Sequence, residues 1–237
     1  MDHSIKLSKR LQIVASYLPQ GANFADIGSD HAYLPCYVCA NDVTARAIAG
    51  EVNEGPYQSA KDTVTYYQMN GSIDVRLGDG LNVVRPAEVD QVVIAGMGGA
   101  LIKSILEQGK DKLQEVKRII AQPNVDEKNV RSWLINNGYV ITHEGITEEN
   151  GHTYEIIVAD KSENQMSLTD QEILFGPFLL KNRPSVFYDK WKLELEKRLR
   201  VIEQLQQAKV KPTDKIKQFE SELNMIEEVL TDETKVN

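Results

Sequence analysis

Apolar residues along this chain follow two rhythms, short runs rich in valine, isoleucine and alanine over the first two thirds and three-and-four spacings over the last third. Ile5, Leu7, Leu11, Val14, Ala15 and Leu18 recur near helical spacing, which predicts a lead-in helix over 3–18 ending at Pro19-Gln20-Gly21. Phe24, Ala25 and Ile27 then read as a buried strand that turns at Gly28 into a helical pattern over 31–40. Further strands are predicted over 45–52, 73–77, 89–95 and 116–121. The helices between them span 56–69, opened by Pro56 and stopped by Asn70-Gly71, then 101–108, then a segment capped by Asp126 and ended by Asn137-Gly138. Residues 139–145 and 154–159 add two strands joined by the polar loop 146–153, a hairpin that closes the sheet.

From Ser167 the rhythm changes. A short helical piece over 169–180 precedes a stripe of Phe187, Trp191, Leu195, Leu199, Ile202 and Leu205, then a break at 209–212, then Ile216, Phe219, Leu223, Ile226 and Leu230. Two such stripes predict an antiparallel helical hairpin with coiled-coil packing. The expectation is therefore an α/β domain over 1–163, with a Rossmann-like, seven-stranded, mostly parallel sheet, followed by a helical coiled-coil domain over 164–237. An antiparallel last strand on such a sheet is the architecture of the class I methyltransferases that use S-adenosylmethionine (SAM).

The turn at Gly28 carries the first chemistry. A strand feeding a helix through a small-residue turn is where α/β folds bind nucleotides. Here one glycine stands where dinucleotide sites carry three, which suits a ligand with no pyrophosphate to cradle, such as SAM. Glu51, at the end of the second strand and about 20 residues past the turn, holds the position that accepts hydrogen bonds from ribose hydroxyls. Asp79, between Gly78 and Gly80 after the third strand, can accept from an adenine amine. The glycines of Gly96-Met97-Gly98-Gly99 leave space above the fourth strand, and the amides of Gln122 and Asn124 face the same edge.

Composition narrows the partners. The 237 residues are 41% hydrophobic with a formal charge of -8, which excludes a wholesale polyanion binder and leaves room for a local basic patch. Residues 181–211 supply one, with nine basic against four acidic side chains, while 212–237 is acidic. Cys36 and Cys39 form a lone CxxC inside the predicted helix, read as two reduced, packed thiols; no metal site is expected. No apolar run is long enough to span a membrane and the N-terminus is polar, so the expected location is the cytoplasm. The oligomeric state is open, a monomer being the simpler expectation.

Taken together, DIGSDHAYLP at 26–35, AGEVNEGPYQSA at 49–60, LGDGL at 77–81, AGMGG at 95–99 and QPN at 122–124, with the helical tail, resemble the bacterial TrmK family. Its members are SAM-dependent methyltransferases acting on N1 of adenine 22 of tRNA. The resemblance implies a SAM site lined by Asp26, Gly28, Glu51, Asp79 and Gly96, and Ser29, Val52, Gly80 and Met97 adjoin these residues. It also implies tRNA as the substrate. Asp30 stands in the turn where many SAM folds have a second glycine, and is expected either to stabilise the methylated base and take a proton or to orient the methionine end of SAM; a helix N-cap is the plainer role. Asn124 is the second candidate catalytic residue. His31 and Tyr33 are candidate base contacts. Arg183, Lys190, Lys197 and Arg200, with Lys6, Lys9 and Arg10, are candidate phosphate contacts. The alternatives are a SAM-dependent methyltransferase acting on a small molecule or protein, and a non-catalytic nucleotide-binding adaptor whose hairpin docks a partner.

Overall fold

The runs of small and β-branched residues become the strands of one sheet. The computed structural model describes residues 5–207 and 212–236, with side chains to 232, and divides at Ser167/Leu168 into two compact units. In the first unit, β1 (Asn23–Ile27), β2 (Arg46–Glu51), β3 (Ile73–Leu77), β4 (Gln91–Met97), β5 (Arg118–Pro123), β6 (Tyr139–Glu149) and β7 (His152–Lys161) lie in the order β3-β2-β1-β4-β5-β7-β6. The first five are parallel, and β7 enters antiparallel between β5 and β6. The order reverses at β1/β4, and that crevice, at the carboxyl ends of the strands, is where open α/β sheets bind ligands.

Helices α1 (Lys9–Ser16), α2 (Tyr33–Asn41) and α3 (Glu54–Tyr66) pack with Phe24, Ala47, Ala49, Val93, Ile120, Ile156 and Val158, the side chains of one face of the sheet. Helices α4 (Gly99–Gln108) and α5 (Glu127–Asn136) pack against each other and against β4 and β5, burying Ile102, Leu106, Val130 and Leu134. Cys36 and Cys39 are buried and unbridged, and burial pushes their thiols up to about 12 and about 11, so neither is a ready thiolate.

Two predicted boundaries are corrected. The lead-in helix does not start at residue 3 but at Lys9. Ser8 caps it by accepting from the Leu11 N–H at 3.4 Å, and the Glu149 carboxylate accepts from the Lys9 N–H at 2.6 Å. The predicted loop 146–153 is mostly strand, because Asn150 and Gly151, at φ 53° and 76°, turn the chain in two residues and let β6 and β7 pair up to Glu149↔His152. Strand β7 pairs with β5 only as far as Ala121↔Ile157, so the rest of the hairpin is a two-stranded ribbon that runs past the carboxyl end of β5.

A buried ion cluster anchors that ribbon. Arg131 of α5 is fully enclosed; its Nε donates to Glu144 Oε1 at 2.7 Å and its Nη2 donates to Glu155 Oε2. Buried charges of this kind hold only as a set, because removing one member leaves the others desolvated and unpaired.

In the second unit, α6 (Asp170–Phe175) opens with a capping box between Thr169 and Glu172, and Gly176-Pro177 divides the predicted 169–180 helix into α6 and α7 (Pro177–Asn182). Then α8 (Ser185–Gln206) and α9 (Thr213–Val236) pair antiparallel, Arg183 with Asp232 and Arg198 with Glu222; of the predicted break at 209–212, all but Pro212 lies outside the described residues. Phe175, Phe187 and Trp191 form the core at the foot of α8, with the Phe175 and Trp191 rings edge-on at 4.5 Å.

Arg131→Met is expected to lower the unfolding free energy by about 3–5 kcal/mol in denaturant titration, since two buried glutamates lose their counter-charge. A loss under about 1 kcal/mol would show that the ribbon stands without the cluster.

Candidate active site

Two constructions meet at the carboxyl edge of the sheet, one at the turn after β1 and one where β4 meets β5. At the first, the Gly28 and Ser29 N–H groups donate to the Gly50 carbonyl at 2.9 and 3.2 Å, folding the turn onto β2. Asp26 is the penultimate residue of β1 and is buried beneath the turn, where Ser29 Oγ donates to its Oδ2 at 2.6 Å. Burial pushes the Asp26 carboxyl up to about 7; the Ser29 hydroxyl opposes the rise, and the Glu51 and Asp30 carboxylates add to it. Glu51, the last residue of β2, is itself raised by burial, and its Oε1 accepts from the Asp30 N–H at 2.5 Å. Among the described residues, Glu51 Oε2 has no protein partner.

The chain then passes through three consecutive non-glycine residues at positive φ, Asp30 at 45°, His31 at 72° and Ala32 at 57°. Each costs on the order of 1 kcal/mol, and the Glu51 contact to the Asp30 N–H is what holds the loop there. Helix α2 accordingly starts at Tyr33 with Ala32 in the cap position, so Asp30 is not the helix cap. Its side chain is 86% exposed, with Oδ1 3.5 Å from His31 Nε2. The His31 and Tyr33 rings neighbour each other at 5.6 Å, both partly open to solvent.

At the second construction the β4–β5 register slips between Ala95 and Met97, leaving Gly96 as a bulge at φ 80°. The bulged residue loses its ladder partners, and side chains replace them. Its N–H donates to Gln122 Oε1 at 3.1 Å, and its carbonyl accepts from Asn124 Nδ2 at 2.8 Å. Gln122, fully buried, also donates from Nε2 to the Pro123 carbonyl at 3.0 Å and to Asn124 Oδ1 at 3.1 Å. The Asn124 amide is thus largely engaged in the bulge, with one N–H left for a ligand. Arg10 completes the arrangement. Expected from the sequence as a candidate phosphate contact, it reaches in from α1 so that Nη1 donates to Gln122 Oε1 at 2.6 Å and its guanidinium lies 5.4 Å from the Tyr154 ring centre.

Of the other candidates, Val52 follows β2 in an exposed position, Asp79 is exposed with no side-chain cap bond, and Gly80 opens a 3-10 turn over Gly80–Val83. The Met97 methyl packs against Gly28, where a side chain would collide with it. The four basic candidates lie in the second unit. Arg183 pairs with Asp232 at 3.2 Å, Lys197 with Glu194 at 2.8 Å and Arg200 with Glu196 at 3.3 Å, while the Lys190 ammonium sits 5.3 Å from the Trp191 ring centre. The Arg10–Gln122–Gly96 linkage could not be seen in residue spacing, since its members come from three distant segments.

A sheet of this order, with a one-glycine turn after β1 and an acid closing β2, defines a class I SAM-dependent methyltransferase. The comparisons go further. The profile of the TrmK family, tRNA (adenine(22)-N(1))-methyltransferase, matches residues 24–228, and the chain belongs to that family. It is 44% identical over 234 residues to the tRNA (adenine(22)-N(1))-methyltransferase of Bacillus subtilis, covering 96% of this chain and 98% of that protein. The crystal structure of the B. subtilis m1A22 tRNA methyltransferase TrmK superposes with a TM-score of 0.87, covering 96% of this chain and 100% of that one at 44% identity. A Streptococcus pneumoniae protein in complex with S-adenosyl-L-methionine superposes with a TM-score of 0.85 at 42% identity, covering 95% and 100%.

The residues present fit that cofactor. The turn has space above Gly28 once Met97 moves its flexible end, and Glu51 has a free carboxylate oxygen for ribose hydroxyls. A cation bound over the turn would favour the ionised form of Asp26, so cofactor binding is expected to displace a proton from a carboxyl poised at about 7. SAM affinity is expected to weaken as pH falls from 8 to 6, with proton release seen by calorimetry in buffers of different ionisation heat. Asp26→Asn should remove that part of the dependence, leaving only the ligand's own amine. An identical pH profile in the two proteins would exclude Asp26 as the titrating group.

Proposed function

We infer that this chain transfers the methyl group of S-adenosyl-L-methionine to N1 of adenine 22 of tRNA. The observation that carries the reading is that the family match spans the segments that build the carboxyl edge, from the turn at Gly28 to the bulge at Gly96. On this reading the enzyme works on its tRNA substrate in the cytoplasm, a monomer being the simpler expectation; among the described residues no helix is long and apolar enough to cross a membrane.

When bound, SAM supplies a methyl group on a sulfonium, and the chain's task is to hold that group and the attacking nitrogen in line and away from water. Glu51 takes the ribose hydroxyls through its free oxygen, Asp79 takes the adenine amine of the cofactor, and Gly28, Ser29, Val52, Gly80, Gly96 and Met97 line the cleft between. Adenine N1 already carries a lone pair and needs no base before attack. Methylation makes the ring cationic and its exocyclic amine more acidic. Asp30, open to solvent at the mouth and fixed through its N–H to Glu51, stabilises that charge and receives a proton. His31 and Tyr33 flank the base, and the spare Asn124 N–H meets its edge. N1 lies on the Watson–Crick edge, so the nucleotide must leave its stack to reach the site. Arg183, Lys190, Lys197 and Arg200 contact phosphates; Lys197 and Arg200 are exposed, so exchanging their carboxylate partners for phosphate costs little.

Incubation with SAM and a tRNA transcript, followed by nucleoside mass spectrometry, should yield 1-methyladenosine, and an A22G transcript should yield none. Asp30→Ala should bind SAM within a few-fold of the parent and lose turnover by about 100-fold or more. Methylation of the A22G transcript would overturn the site of modification, and full turnover by Asp30→Ala would remove Asp30 from the chemistry.

A further inference from the structure

Arg10 has a contact pattern that a purely structural arginine would not leave open. One nitrogen, Nη1, donates to Gln122 Oε1 at 2.6 Å, and the guanidinium carbon lies 5.4 Å from the centre of the Tyr154 ring. Among the described residues, Nε and Nη2 have no hydrogen-bond acceptor and the group has no carboxylate partner. Glu149, the acid beside it in space, spends its carboxylate on the backbone N–H groups of Lys9, at 2.6 Å, and Arg10, at 3.5 Å. A cation that is half-buried, oriented by a fully buried amide and an aromatic ring, and left with a fork of free donors is built to receive a bidentate oxyanion.

Its location says which anion. A Cβ placed on Gly96 would lie 3.7 and 3.8 Å from the two Arg10 terminal nitrogens, so the guanidinium stands directly beside the β4 bulge. The cofactor turn at Gly28 is on the other side of that bulge, next to Glu51. The guanidinium therefore borders the acceptor. The methylated base itself becomes cationic, and a fixed positive charge at its ring edge would oppose the reaction. The remaining anion that accompanies an extruded nucleotide is its own backbone.

We propose that Arg10, held by Gln122 and Tyr154, binds a phosphodiester flanking the target adenosine and so positions the extruded nucleotide over the Gly96 bulge. This rests on the tRNA-methylating reading above. Arg10 is a positioning residue: it fixes where the nucleotide enters and takes no part in proton or methyl transfer.

The test uses tRNA assembled by ligation with a single neutral methylphosphonate on the 5′ or the 3′ side of A22. With the parent enzyme, one of the two substitutions should lower kcat/KM by about 10- to 100-fold. Arg10→Ala should show a similar loss on unmodified tRNA, keep SAM affinity within two-fold, and lose nothing further on the sensitive methylphosphonate tRNA. Arg10→Lys should recover part of the loss. Equal rates of the parent enzyme on all three tRNAs would overturn the proposal without reference to any variant. Additive losses of Arg10→Ala with the neutral linkage at both sites would reduce Arg10 to a strut for Gln122. A parallel fall in SAM affinity would reassign the anion to the methionine carboxylate. If the parent enzyme methylates no tRNA at A22, the reading of function fails and the Arg10 assignment falls with it, an outcome distinct from equal rates on all three tRNAs, which overturns the assignment alone.

Discussion

Gly96 is left out of the ladder between β4 and β5, and the functional edge depends on how its two backbone groups are satisfied. Gly96 itself is exposed, so Gln122 and Asn124 do not rescue buried groups; they supply an acceptor and a donor that fix the bulge in one geometry, each worth about 0.5–1.5 kcal/mol. The same Gln122 oxygen receives Arg10, which ties α1 to the floor of the site, and α1 is tied in turn to the ribbon through Glu149. That amide thus couples two strand ends to a helix from the start of the chain, and the helix carries the link on to the neighbouring ribbon.

The cofactor side has a parallel logic. Asp30, His31 and Ala32 adopt left-handed conformations without the help of glycine, and the Glu51 carboxylate answers the N–H that this conformation exposes. Residues with such strain persist where surrounding contacts over-determine them, and they gather at sites where a side chain must be aimed. Here the consequence is that the Asp30 carboxylate stands open to solvent instead of capping α2.

Much of the fold was legible because β1, β2 and β4 are short apolar runs that end at or beside a glycine, and the stretch 73–77, between Gly71 and Gly78, is bounded as the sequence pattern predicts. The ribbon was not, because a two-stranded extension beyond the sheet carries polar residues on both faces and reads as a loop; only Asn150-Gly151 betrayed it. Glu51 and Asp79 could be placed by strand ends alone, whereas Asn124 shows in sequence as a free amide and proves to be engaged in the bulge. Arg10 reads in the sequence as one of three basic residues of the lead-in helix, with Lys6 and Lys9, and what sets it apart is its side-chain bond to Gln122, 112 positions away. The charge excess on α8 was visible, but its partition into pairs with Glu194, Glu196 and Asp232 depends on helix register and on α9.

If Gln122 organises the acceptor floor, replacing it with the isosteric, apolar methionine should separate cofactor binding from reaction. The decisive measurement is the single-turnover rate of Gln122→Met at saturating SAM and tRNA, alongside its SAM affinity. Expected is a folded protein that binds SAM within a few-fold of the parent and transfers methyl about 100-fold more slowly or worse, because Gly96, Asn124 and Arg10 all lose their partner at once. Transfer at the parental rate would contradict the central role given to that amide.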